Sequence, residues 1–332
     1  ALKKFWLGAM AVRPPTVDSH HSPGRSSTAA GECAAARGRG NALLAQGNFK
    51  EATECYRQAT RLDPADATAF VSLGFALCEQ GLHTQAQVPL QQATLLDPAG
   101  ADAFYLLGAI FRSRGDVSLA VEQYDRAIAL KPDFEVCRRD LCASLCEAGQ
   151  VEAAKRLIVE GISLHPESPT FYQFLGIVQR QSNELDAAIV SFRRALAIRP
   201  DNAEAQWNLG IAFQAQGAID AAIDSYQAAI ALRQDYAEAH SDLGVALDAK
   251  GDVESALRCF ERALAIRPDY AEALGNLGNA EQKLGRLASA VQSYRRALAL
   301  NPSLAALHSG LGVALQAIGQ QDAAAASLRQ AI

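Results

Sequence analysis

Cys137, Cys142 and Cys146 form the densest group of chemically capable side chains in the sequence. Thiolates can bind a metal or exchange disulfides, but each task imposes a spacing. A zinc site needs four ligands, and a redox pair favours two cysteines separated by two residues. Only Cys142 and Cys146, four apart, share a helical face, so the trio reads as small buried hydrophobes. The seven cysteines are an odd number without framework spacing, which points to reduced thiols and a cytoplasmic setting. His20 and His21 adjoin, but no third ligand stands near them, and solvated side chains are expected there. Neither a phosphate-cradling glycine loop nor a nucleophile–base constellation stands out. The expectation is no catalytic residue, no metal site and no cofactor.

Composition narrows the partners. The net charge is −5 over 332 residues, with no basic stripe to neutralise phosphates, so no nucleic acid is expected as a partner. No run of 18 apolar residues exists, and no membrane span is expected. The opening ALKKFWLGAMAV is faintly signal-like, although its apolar run is at the short end for export. Residues 1–32, rich in Pro, Ser and Gly beyond that run, lack an apolar period and read as a flexible leader.

What must position the remaining side chains is a repeat. Leu209 aligns with Leu243, Gly210 with Gly244, Gly217 with Gly251, Ala222 with Ala256 and Tyr226 with Phe260, all at a spacing of 34 residues. Such a period signals a stacked helical array. Prolines recur at 64, 98, 132, 166, 200, 268 and 302, with Gln234 in the one remaining slot. One glycine column includes 74, 108, 176, 210 and 244, with Cys142 substituting. A second includes 81, 115, 149, 217 and 251, with Asn183 substituting. The second column ends a first helix where a tight turn needs positive φ, which Asn tolerates best among ordinary residues. The proline stops the second helix. A leucine stripe (Leu73 to Leu311) and an aromatic stripe (Tyr56 to Tyr294) supply the faces that each helix pair buries against its neighbours.

The columns Leu-Gly, Gly, Ala, aromatic, Ala and Pro at this spacing resemble the tetratricopeptide repeat, or TPR. The resemblance covers residues 33–332, with repeats starting at 33, 67, 101, 135, 169, 203, 237 and 271 and a truncated ninth from 305. It implies an all-α, right-handed superhelical solenoid of antiparallel helix pairs, whose first helices line a concave groove for a peptide or partner helix. Three places depart from the pattern. In the first repeat Ala36, Arg37, Gly38 and Arg39 weaken the first helix, which is expected to fray. The fourth carries Arg138, Cys142 and Gly161 off pattern and reads as a bend or soft spot. At the far end Ala324, Leu328 and Ala331 belong to a packing face with no following helix. The expectation there is either a longer protein or self-association through that face.

The resemblance also assigns groove positions: the second, fifth, sixth, ninth and twelfth of each repeat. At the sixth stand Asn208, Asp242 and Asn276, with Asn279 one turn on. These look like a partial version of the asparagine ladder in the TPR arm of O-linked N-acetylglucosamine transferases, whose amides bond a peptide backbone. Apolar companions are Val71, Phe75, Tyr105, Leu106, Phe174, Ile177, Trp207 and Ile211. Trp207 is the expected anchor, because Trp is enriched among binding hot spots. Glu204, Glu238 and Glu272 form an acidic column along one rim. The clamp by which some TPR domains hold a heat-shock chaperone's terminal carboxylate is disfavoured. Arg37 and Asn41 fit it, but Ser72, Asp102 and Leu106 do not, and Asp102 would repel a carboxylate. The resulting expectation is a non-catalytic protein-interaction scaffold. The alternative is the substrate-recognition arm of a larger enzyme, such as a glycosyltransferase.

Overall fold

The computed structural model describes residues 27–331. The signal-like start, most of the expected leader and His20–His21 lie outside them. The chain divides into two units, Ala1–Leu164 and His165–Ile332. In the first, the helices are α1 (Ser27–Gln46), α2 (Phe49–Leu62), α3 (Ala67–Glu79), α4 (His83–Leu96), α5 (Ala101–Ser113), α6 (Val117–Leu130), α7 (Glu135–Glu147) and α8 (Val151–Leu164). In the second they are α9 (Pro169–Gln181), α10 (Leu185–Ile198), α11 (Ala203–Gln216), α12 (Ile219–Leu232), α13 (Ala237–Lys250), α14 (Val253–Ile266), α15 (Ala271–Lys283), α16 (Leu287–Leu300), α17 (Ala305–Ala317) and α18 (Gln321–Arg329). Each unit is a solenoid of helix pairs. The first helix of a pair also touches the first helix of the next within its unit (α3 with α5, α11 with α13, α13 with α15), so first helices line the inner side.

Turn chemistry sets the pairs. Gly217 sits at φ 83°, its N–H donating to the Gln214 carbonyl, while the Ala218 N–H reaches back to the Phe213 carbonyl at 2.9 Å. This double bond ends the helix as a left-handed cap. Asn183 holds the same conformation at φ 60° and is the only non-glycine residue with positive φ among the described residues. The other glycine column works by closeness. A Cβ on Gly210 would come within 2.6 Å of the Tyr226 ring, so only glycine lets the two helices of that pair meet. In the irregular fourth repeat, Cys142 takes that slot and Ile158, 16 residues on, replaces the ring. Both side chains are fully buried, the smaller partner leaving room for the thiol.

Two departures resolve differently from expectation. The first helix, α1, runs 20 residues from Ser27, so Ser27–Glu32 is helical where a flexible leader was expected. Gly40 in it packs against Tyr56, while Gly38 faces open space. Arg138 marks a tie instead of a soft spot: although 3% exposed, it donates to the Pro132 carbonyl at 2.9 Å and to the Leu157 carbonyl, and pairs with Glu160. His240 and His308 reach the carbonyls of Gln234 and Pro302 over the same six-residue spacing. A side chain at this register thus satisfies a turn carbonyl that would otherwise be orphaned. At the last pair Ala324 is buried, and Leu328 lies against Gly312 of α17, leaving only part of that face open.

Candidate functional site

The inner faces of the two units differ in what they leave accessible. In the first, Phe75, Tyr105 and Leu106 are fully buried, and only Val71 of the expected apolar contacts is half-exposed. Phe75, Tyr105 and Leu106 are therefore core residues and present no surface to a ligand; the pattern that places residues on the inner face of a helix does not report whether the next pair covers them. In the second unit Phe174, Ile177, Trp207 and Ile211 are all half-exposed along α9 and α11.

Trp207 is the centre of this surface. Its indole packs on the buried cluster of Ala229, Tyr236 and Ala239, and its ring lies 5.5 Å from that of Tyr236 at 50°. The indole Nε1–H donates to Asp242 Oδ2 at 2.7 Å, across from α11 to α13. Tyr236 is covered in turn by the Arg233 guanidinium, 3.4 Å from the ring centre. One repeat on, Arg267 lies 4.7 Å over Tyr270 and pairs with Glu238. Each cation sits three residues before its ring, an arrangement that favours a guanidinium stacked on a π face.

The asparagine ladder does not form as expected. Asn208 is 3% exposed and its Nδ2 donates to the Glu204 carbonyl of its own helix, so it offers nothing to a peptide. A short amide in mid-helix can reach its own preceding turn, and here that bond wins. Asn276 is half-exposed and Asn279 exposed, the latter accepting from the Tyr294 hydroxyl at 2.8 Å. Beside Asn276, Glu272, Gly275, Leu304 and Leu307 help to line a shallow hollow of about 420 Å³.

Charge is unevenly balanced here. Burial, with Glu272 and Glu238 nearby, pushes the Asp242 carboxyl up to about 6 against the opposing pull of the Trp207 hydrogen bond. Desolvation is the largest single influence on Glu238 and raises it, but the Arg267 bond, a backbone hydrogen bond and the charges of Arg267 and Arg233 together outweigh that and hold it below the usual carboxylate range. Glu204 and Glu272 are exposed and form no ion pair among the described residues. Around Asp242 the face thus carries Glu204, Glu238 and Glu272 beside Arg233 and Arg267, with Arg180 on α9 near Tyr226.

Elsewhere, burial keeps two of the fourth repeat's thiols protonated. Cys142 is pushed up to about 12 by burial, and Cys137 higher still for the same reason. No cluster of His, Cys, Asp or Glu able to hold a metal occurs among the described residues. Within those residues no helix is long and apolar enough to cross a membrane.

Known families place these repeats. A family model described as TPR repeat matches residues 40–81, 176–217 and 213–251, and one described as tetratricopeptide repeat matches 79–133, 241–305 and 276–332. The chain belongs to the tetratricopeptide-repeat family. No curated protein matches it. Among solved structures it is similar to the APC/C hetero-tetramer Cut9-Hcn1, with 16% identity, a TM-score of 0.58 and coverage of 90% of this chain and 72% of that one. It is also similar to PilF of Pseudomonas aeruginosa, with 22% identity, a TM-score of 0.54 and coverage of 64% and 96%. A third similarity, to MamA, has 26% identity, a TM-score of 0.45 and coverage of 47% and 92%. The first two likenesses concern the fold. They agree with a TPR array of stacked helix pairs.

Proposed function

We propose that this TPR chain is a non-catalytic scaffold that binds a partner segment along the inner face of the unit His165–Ile332. The observation that carries the reading is the half-exposed strip of Phe174, Ile177, Trp207 and Ile211 on consecutive first helices. Large apolar side chains clustered on a recessed face are a recurrent mark of peptide and helix docking. Trp207 suits an anchor because its base is fixed by Tyr236 and Asp242 while part of its ring stays open. An anchor already held in place loses little freedom on binding. The first unit, whose corresponding aromatics are buried, leaves recognition to the second.

Capture from a native lysate tests this, comparing the intact chain with Trp207→Ala/Ile211→Ala. Both side chains are half-exposed, so helicity by circular dichroism should be retained. A partner held by the intact chain and lost with the double change is the expected result. Identical partners for both proteins would place binding elsewhere.

A further inference from the structure

Building on that reading of the inner face, we infer that its occupant is a basic segment, one that sets a lysine or arginine against Asp242 and Glu272 while its apolar residues lie along Trp207 and Ile211.

Three observations converge. The first is the apolar strip itself, which fixes where a segment would lie. The second is charge complementarity. Asp242 spends one oxygen on Trp207, and its other oxygen has no hydrogen-bond partner among the described residues. Glu272 on the next first helix is exposed and has no ion-pair partner among the described residues, and the same holds for Glu204 at the start of α11. Arg267 is occupied by Glu238 and Arg233 by the Tyr236 ring, while Arg180, on α9, lies near Tyr226. A ligand bearing positive charge would meet carboxylates with capacity to spare, whereas an acidic ligand would meet repulsion, and such like-charge contacts exclude wrong partners. The third is the position of the acid. Asp242 lies at the foot of the aromatic anchor instead of on an outer rim. A cation reaching it would pass the exposed part of the Trp207 ring, where the π face adds to the attraction.

The structure also argues that Asp242 is not there for stability. An asparagine could accept the same Trp207 bond without carrying charge into a partly desolvated site beside Glu238 and Glu272. A residue that burdens the fold where a neutral isostere would serve is the kind of local inconsistency expected at a functional position.

The test uses the full chain and three fluorescein-labelled dodecapeptides that alternate leucine with lysine, serine or glutamate, with binding read by anisotropy. The lysine peptide should bind, the serine peptide more weakly and the glutamate peptide least. Asp242→Asn/Glu272→Gln should weaken the lysine peptide by about tenfold or more, the effect of losing two charge-assisted contacts. Glu254→Gln/Glu261→Gln removes as much charge from exposed positions on α14 and should change binding by less than about twofold. Between pH 7.5 and 5 the lysine peptide should weaken as Asp242 takes up a proton. Asp242→Asn should flatten that dependence, with Glu238, Glu272, Glu204, Tyr226, Tyr270, Arg180, Arg233 and Arg267 left in place as the groups around the site. Equal losses from the two double variants would overturn the proposal, reducing the attraction to the overall negative charge. So would a serine peptide that binds as well as the lysine one, and in that case loss of both with Trp207→Ala/Ile211→Ala would leave the docking face standing. If none of the three peptides binds while the lysate partner is still lost with Trp207→Ala/Ile211→Ala, the basic occupant is wrong and the face is right. If that partner is also unaffected, both readings fall.

Discussion

The same device is built twice in this molecule, once closed and once open. In the first unit Tyr105 of α5 packs 5.0 Å from Phe134 and donates its hydroxyl to Asp140 Oδ2 at 3.0 Å. In the second, Trp207 of α11 packs on Tyr236 and donates to Asp242 Oδ2. Both donors reach an aspartate 35 residues on, and both rings lie under a cation three residues upstream, Lys131 over Phe134 and Arg233 over Tyr236. Two things differ. Tyr105 is fully buried and Trp207 is not. Asp140 has Arg139 as an ion-pair partner at 2.7 Å, whereas Asp242 has Glu238 and Glu272 for neighbours. One register of the repeat can therefore be a sealed rivet or, on the proposed reading, an open receptor, depending on how it is covered and what charges stand beside it.

The largest test of that contrast is truncation of each aromatic. Tyr105→Ala empties a sealed site and should cost about 3–5 kcal/mol, the usual range for a buried aromatic. Trp207→Ala should cost half of that or less, because part of the indole already faces water. Urea unfolding followed by far-UV circular dichroism compares them, and equal costs would erase the distinction between rivet and receptor.

The aspartates should respond with opposite signs. The native state raises the Asp242 pKa from 3.8 to about 6, so the folded chain binds that proton more tightly than the unfolded chain does. Stability from this group is present at low pH and declines as pH rises between those two values. Asp242→Asn removes the burden while keeping an acceptor for Trp207. It should gain about 1–3 kcal/mol at pH 7.5 and close to nothing at pH 4. Thermal melts at the two pH values read this directly, and a gain independent of pH would show that charge is not the cause. Asp140→Asn should instead lose about 1 kcal/mol at pH 7.5, since it forfeits the Arg139 pair and keeps only the tyrosine bond.

Much of this architecture could be read from residue spacing because each turn depends on one residue's backbone preference. The glycine column with Asn183 in it identified the left-handed caps, and the proline column identified where second helices stop. Those are local properties, visible in one chain segment at a time. Exposure is not local. Phe75 and Phe174 occupy inner-face positions alike, yet one is sealed by its surroundings and the other is half-open. Asn208 shows a second limit, since an amide in mid-helix chooses between its own backbone and a ligand, and spacing does not settle which. The aromatic under its cation was a signal left unread. Lys131-Pro-Asp-Phe134, Arg233-Gln-Asp-Tyr236 and Arg267-Pro-Asp-Tyr270 share a basic residue, an aspartate and a ring in the turn between repeats. Two of these three turns lie in the unit that carries the open face.

The smallest effects sharpen the comparison furthest. Lys131→Met and Arg233→Met each remove a cation from a ring and should each cost only about 0.5–1 kcal/mol in stability, because exposed cation–π contacts are weak. Their effects on recognition should diverge. Lys131 serves a closed site, so its loss should leave peptide binding unchanged. Arg233 helps to hold the neighbouring Glu238 ionised and is one of the cations set against the four carboxylates of the open face. Removing it leaves that face more negative, and the lysine–leucine peptide should bind tighter by about twofold, the scale of one exposed charge. A gain in binding alongside a loss in stability separates the two roles of one side chain, packing on Tyr236 and balancing charge. Were Arg233→Met to weaken the lysine–leucine peptide instead, what Arg233 gives to binding would be its packing on Tyr236 beneath Trp207, outweighing its charge.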